Sequence, residues 1–146
     1  MSADRVHLAR VLVVDDTDDF RWILRTILQA SSAVGTVLEA GDGAAALELV
    51  RREQPHLVVI DIMMPRLDGL EATRRIKTGW PATKVIVVTS TADAVFHREA
   101  LRAGADAFLE KRVAIEALGP LVERLLRNAL ASSAEGSPPA SPAGKG

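Results

Sequence analysis

Short apolar runs recur five times along this chain, with helical patterning filling the gaps between them. The runs are VLVV (11–14), VGTVLEA (34–40), LVVID (57–61), KVIVVT (84–89) and AFL (107–109). After the first run, Phe20, Ile23, Leu24, Ile27 and Leu28 recur at spacings of three and four, which puts one apolar stripe on a helix. The turn Gly41-Asp42-Gly43 leads into a helix carrying Ala46, Leu47 and Val50. Asp68 with Glu71 three residues on is an Asp-led capping box, predicting a helix over about 69–77. A helix over 93–103 closes at Gly104. The last helix carries Ile115, Leu118, Val122, Leu125, Leu126 and Ala129. Its Gly119-Pro120 pair suits only a first turn, where proline's missing N–H has no partner anyway, so the predicted start is near Ala114.

Strands that alternate with helices pair in parallel, because each crossover returns the chain to the same edge. The pattern therefore predicts an α/β protein, a doubly wound parallel five-stranded sheet with helices on both faces. The first, third and fourth runs are the most uniformly apolar, which places them in the middle of the sheet. A length of 146 residues fits one domain. We read 1–9 as an N-terminal extension and 10–131 as the domain. Residues 132–146, rich in Pro, Ala, Ser and Gly, read as a disordered tail or truncated linker that lacks apolar surface to bury.

A net charge of −1 leaves no electrostatic footprint for nucleic acid or an anionic membrane. The absence of cysteine excludes disulfides and thiolate metal sites. No apolar run approaches the ~20 residues that span a bilayer. The opening MSADRVHLAR lacks the apolar core of a signal peptide, so a cytoplasmic location is the default expectation.

In a doubly wound sheet, ligands bind beyond the carboxyl ends of the strands. The first strand ends in Asp15-Asp16, the third in Asp61 and the fourth in Thr89-Ser90, and Lys111 lies just past the fifth. Three carboxylates gathered at one edge need a proton or a cation between them. A hard divalent ion with oxygen ligands answers that need, and magnesium suits few carboxylates with water and phosphate. A cation, the Lys111 ammonium and the Thr89 hydroxyl around one carboxylate make a seat for a phosphoryl group. Asp18 and Asp19 read as helix N-terminal residues favoured by the dipole. His7, His56 and His97 have no ligand spacing and read as structural or exposed, while Met63 and Met64 read as packing residues.

The segments VLVVDDTDDFRWILRTIL, LVVIDIMMPRLDGLEATRRIK, VIVVTS and GADAFLEK resemble the CheY-like receiver domains of bacterial two-component response regulators, among them the receivers of LuxR-type regulators. The resemblance runs from about Arg10 to Ala129. It implies a flavodoxin-like (βα)5 fold with strand order 2-1-3-4-5. It implies that Asp61 accepts a phosphoryl group from a phosphohistidine of a sensor histidine kinase or phosphotransfer protein. The implied Mg2+ ligands are Asp15, Asp16, Asp61 and the backbone carbonyl of Met63. Thr89, Ser90 and Lys111 would bind the phosphoryl oxygens, and Thr89 with Phe108 would form the switch. The implied output surface for a downstream effector is the fourth helix, fifth strand and last helix, with homodimerisation on phosphorylation as one use. Many receivers have proline after the lysine, whereas Arg112 follows Lys111 here, so a trans bond is expected.

Such a module is not an enzyme beyond its own phosphotransfer and autodephosphorylation. Two other readings are distinguishable. A docking protein on the same fold would bind partners without regard to phosphorylation. An aspartate-nucleophile phosphatase would place a second aspartate two residues after the nucleophile as general acid, where this chain has Met63.

Overall fold

The five apolar runs form five parallel strands: β1 (Ala9–Val14), β2 (Val34–Ala40), β3 (Leu57–Asp61), β4 (Lys84–Thr89) and β5 (Ala107–Glu110). A computed structural model describes residues 8–64, 68–91 and 93–135, the side chains of 130–135 excepted. The strand order is β2-β1-β3-β4-β5, the doubly wound arrangement with β1, β3 and β4 at its centre. The helices are α1 (Asp18–Gln29), α2 (Gly43–Glu53), α3 (Gly69–Gly79), α4 (Ala94–Arg102) and α5 (Lys111–Glu135).

Alternation along the central strands divides the core in two. Leu12, Val14, Val58, Ile60, Val85 and Val87 share one layer with Ala46 and Val50 of α2, Ala72 and Ile76 of α3, and Ala100 of α4. Val11, Val13, Leu57, Val59, Ile86 and Val88 share the other with Leu24 and Leu28 of α1 and Ala114, Leu118, Val122 and Leu126 of α5. A strand covered on both faces has no polar side to show, which is why LVVI appears as an unbroken apolar run.

Three helix starts follow from side-chain caps. Asp42 accepts a hydrogen bond from Ala45 N (2.8 Å), Asp68 from Glu71 N (2.8 Å) and Asp93 from Val95 N (2.9 Å). The box at Asp68 is only half made, because the Glu71 carboxylate turns to Arg74 and Arg75. Gly104, at φ 99°, follows the end of α4 in the left-handed conformation that glycine tolerates best.

Helix α5 departs from the sequence expectation at both ends. It begins at Lys111, not near Ala114, and Pro120 sits inside it. Proline in a helix interior costs about 3 kcal/mol through one lost hydrogen bond and a clash. Pro120 faces solvent, while Ala114, Leu118, Val122 and Leu126 of the same helix are fully buried. Burying each large apolar side chain contributes about 1.5–3 kcal/mol, so the packed face outweighs the break. The helix also continues through Glu135, past the change in composition at Ala131, so 132–135 are helical and not tail. Residues 1–7 and 136–146, with the expectations attached to them and to His7, lie outside the described residues.

Candidate functional site

Strand register brings the acidic residues together. Val14 pairs with Ile60, so the next residues, Asp15 and Asp61, share the next rung. Asp61 in turn pairs with Val88, one residue short of Thr89, and Thr89 pairs with Glu110, one residue short of Lys111. Four strand ends therefore deliver their side chains to one edge. Carboxylate oxygens of Asp15, Asp16 and Asp61 lie within 4.8 Å of one another. Asp15 and Asp61 are buried, and Asp16 is exposed at the rim.

Each of the two buried carboxylates is held by its own loop. Asp15 Oδ1 accepts a hydrogen bond from Thr17 N (2.8 Å), and Asp61 Oδ1 accepts one from Met63 N (3.0 Å). Lys111 Nζ bridges the two acids, 2.9 Å from Asp15 Oδ2 and 3.2 Å from Asp61 Oδ2. The contact to Asp61 is a hydrogen bond. The contact to Asp15 is an ion pair off hydrogen-bond geometry, which leaves Oδ2 a buried oxygen with no hydrogen bond of its own. The trans geometry expected at Lys111-Arg112 is present, since no cis peptide bond occurs among the described residues.

Charge and burial compete in this pocket. Burial pushes the Asp61 carboxyl above its ordinary pKa, and the Asp15 charge adds to the shift. The Met63 N–H and Lys111 oppose the rise without cancelling it. For Lys111 the balance goes the other way. Burial alone would lower its pKa, but the Asp15 and Asp61 carboxylates raise it above the ordinary lysine value. A buried oxygen without a hydrogen bond, three carboxylates and hard donors alone form a set that fits Mg2+.

Thr89 is fully buried, and its Oγ1 accepts a hydrogen bond from Thr91 N (3.2 Å), leaving the hydroxyl proton to donate. Ser90 is exposed at the end of β4. Phe108, which pairs with Val87 in the sheet, is half-buried. Its ring stacks on His97 of α4 at 4.6 Å and 11°. His97 is thus exposed yet engaged. His56 is structural, accepting from Arg10 N (3.1 Å) at the start of β3. Met64 packs in the core as expected, but Met63 is 53% exposed beside Asp61.

Sequence reasoning missed three supporting residues. Arg21 donates to the Asp15 carbonyl (2.6 Å), to Glu39 (3.0 Å) and to Asp18 (2.5 Å), tying the acidic segment to β2. Phe20, read only as part of an apolar stripe, lies with its ring centroid 4.5 Å from Lys111 Nζ. Gly69 packs on the backbone that carries Asp61. A Cβ there would fall 2.1 Å from the Asp61 carbonyl oxygen and 2.6 Å from Ile62 Cα. The glycine after Asp68 is the one visible sign of that contact. Gly69→Ala is therefore expected to lower stability by about 2 kcal/mol, read as a lower urea midpoint at unchanged slope. A midpoint equal to the native one would show that α3 shifts without cost.

Comparison with known proteins identifies the family. Residues 11–123 match the family model described as the response regulator receiver domain. A protein-glutamate methylesterase/protein-glutamine glutaminase of Myxococcus xanthus is 44% identical over 128 residues, covering 86% of this chain and 36% of the relative. Response regulator MprA of Mycobacterium leprae is 42% identical over 119 residues, covering 81% of this chain and 51% of the relative. The chain thus spans between a third and about half the length of these curated relatives. Among solved structures, the signal receiver domain of NarL from Mycobacterium tuberculosis superposes with a TM-score of 0.78 at 30% identity, covering 83% of this chain and 98% of that one. The response regulator domain of Thermotoga maritima CheB gives 0.73 at 34% identity, covering 85% and 97%. On sequence and fold together, this chain belongs to the response regulator receiver domain family.

Proposed function

We propose that the chain is a phosphorylation-driven switch in which Asp61 accepts a phosphoryl group from a phosphohistidine of a sensor kinase or phosphotransfer protein. The observation that carries the reading is the Lys111 ammonium set between buried Asp15 and Asp61, with Thr89 ending the adjacent strand at the same edge. An Asp61 oxygen bonds to phosphorus as the P–N bond to the donor imidazole breaks, and the electron pair of that bond returns to the ring nitrogen. Asp61 is a weak nucleophile, so position and charge neutralisation supply the rate.

Asp15, Asp16, Asp61 and the Met63 carbonyl would hold Mg2+, which neutralises and orients the oxygens of the group in transfer. Lys111 then pairs with the product, which carries about −2 of new charge. The Thr89 hydroxyl donates a charge-assisted hydrogen bond to it, with Ser90 at the rim as a further donor. Drawing Thr89 toward the phosphoryl group opens space for the Phe108 ring to turn inward. The face of α4, β5 and α5 carries that change to an effector or a second copy of the chain. Phosphorylation shifts this equilibrium only by its differential stabilisation of the inward state.

Met63 cannot donate a proton, so we infer no turnover of phosphate monoesters and no activity beyond the module's own phosphotransfer and autodephosphorylation. The partners in this reading are proteins and not nucleic acid. No described helix is long and apolar enough to cross a membrane, and the reading puts the chain in the cytoplasm with its kinase. Incubation with Mg2+ and acetyl phosphate tests the proposal. The expected product is an acid-stable, base-labile phosphoryl adduct, and a chain that takes none refutes the reading.

The His97 stack offers a measure of the switch. An aromatic pair contributes about 0.5–1.5 kcal/mol beyond its buried area. His97→Ala is therefore expected to raise the inward population of Phe108 about fivefold, converting roughly 1 kcal/mol. Fluorine NMR on a ring-fluorinated Phe108 reads that population, and an unchanged spectrum would mean that the stack holds nothing.

A further inference from the structure

We propose that Phe20 is a positioning residue that aims the Lys111 ammonium, through the face of its ring, at the group transferred to Asp61. This inference rests on the phosphoacceptor reading above. The ring centroid of Phe20 lies 4.5 Å from Lys111 Nζ, inside the range in which a cation is drawn to an aromatic face. Both groups are half-buried, so the attraction is weakly screened. Phe20 packs against the core layer between the sheet, α1 and α5, which fixes the ring from behind.

The geometry matters because of what else touches the ammonium. Its other described partners are the Asp15 and Asp61 carboxylates, the same two groups that the proposed metal would engage. A cation bound there competes for both. The Phe20 ring has no ligand atom to give, so it keeps its hold on Nζ when the carboxylates turn away. It also lacks a lone pair to fix one N–H, leaving the ammonium free to direct its donors at phosphoryl oxygens. Lysine is a flexible chain with four rotatable carbons, and one retained contact limits where its charge can go. Arg112 after Lys111 gives the lysine no proline ring to constrain its backbone, so the contact from α1 adds a tertiary restraint on its aim beside the two carboxylates.

The test uses the full chain with 4-fluoro-, 3,5-difluoro- and pentafluorophenylalanine at position 20, which keep the ring's shape while draining its face of negative charge. Acetyl phosphate with Mg2+ is the phosphodonor. The P–O bond to acetate breaks as the Asp61 O–P bond forms, and acetate leaves with the electron pair. The labelling rate is expected to fall stepwise with fluorine content, to about one fifth for the pentafluoro ring. In proton NMR, the Lys111 ε-methylene is expected to be shifted upfield by the ring in the native chain and to lose that shift in Phe20→Leu. A role in packing alone predicts equal labelling across the fluorinated series, and that result overturns the inference while leaving the phosphoacceptor reading intact. An ε-methylene without the ring shift in the native chain overturns it as well. A native chain that takes no label removes the parent reading, and the positioning role with it.

Discussion

Asp61→Asn is expected to abolish the phosphoryl adduct completely and, in the same protein, to raise the thermal midpoint at neutral pH. The two effects share one cause. Asp61 is 4% exposed, with Asp15 beside it, and burial holds its pKa above the ordinary carboxylate value. A carboxyl whose pKa is raised on folding binds its proton more tightly in the native state than in the unfolded one. Stability from this group is therefore highest at low pH. It falls as pH rises from the ordinary carboxylate range through the raised folded value. Asparagine carries no charge to bury, so the variant should lose this part of the pH dependence. Lys111 keeps Asp15 as a partner at 2.9 Å and is not stranded. A gain of about 1 kcal/mol moves the midpoint of a chain this size by roughly 3 °C. Calorimetry at pH 4 and pH 7 with phosphoprotein gels checks both halves. An undiminished adduct on the variant, or a lower midpoint at pH 7, contradicts the account.

That trade of stability for reactivity bears on what could be read from the chain unaided. The strands were legible because a run buried on both faces has no polar interruption, and LVVI and VIVV have none. The gathering of Asp15, Asp16, Asp61 and Lys111 was legible for a related reason. Parallel strands bring their carboxyl ends to one edge, so sequence position predicts spatial position there. The supporting contacts follow no such rule. Phe20 meets Lys111 across helices at opposite ends of the chain, and the stripe that contains it looks the same whether its ring faces a methyl or an ammonium. His97 meets Phe108 from a helix onto a strand, with no spacing to announce it. The start of α5 is not legible locally, because the tertiary burial of its apolar face overrides the local preference of Pro120 for a first turn. Gly69 falls between these cases. Its residue type is visible, but its reason is a backbone oxygen 2.1 Å from an atom that is not there.

Lys111→Met should produce the largest loss of stability, and one that a divalent cation reverses. Methionine keeps the apolar stem and much of its volume while removing the charge. Asp15 and Asp61, 0% and 4% exposed, are then left facing one another with only backbone N–H groups as partners. Removing one side of a buried ion pair costs about 3–5 kcal/mol. The pocket opens to solvent at Asp16, so the lower end applies, about 3 kcal/mol at pH 7 in the presence of a chelator. The pH dependence has a definite sign. The Lys111 pKa is raised on folding, so the stability it contributes is fully present below the ordinary lysine value and is lost as pH rises through the folded one. Native and variant midpoints should therefore converge at strongly alkaline pH. They should also draw together in acid, where the Asp61 carboxyl, its pKa raised by burial, takes up a proton and no longer needs the ammonium. Magnesium distinguishes this account from simple loss of packing. An ion that binds only the native state stabilises by mass action, about 2.7 kcal/mol at a hundredfold excess over its dissociation constant. In the variant no ammonium competes for Asp15 and Asp61, so each increment of Mg2+ should raise its urea midpoint more than it raises the native one. If the variant matches the native chain in chelator, or gains nothing from Mg2+, the carboxylates are not held together by charge. The electrostatic basis of the site then fails.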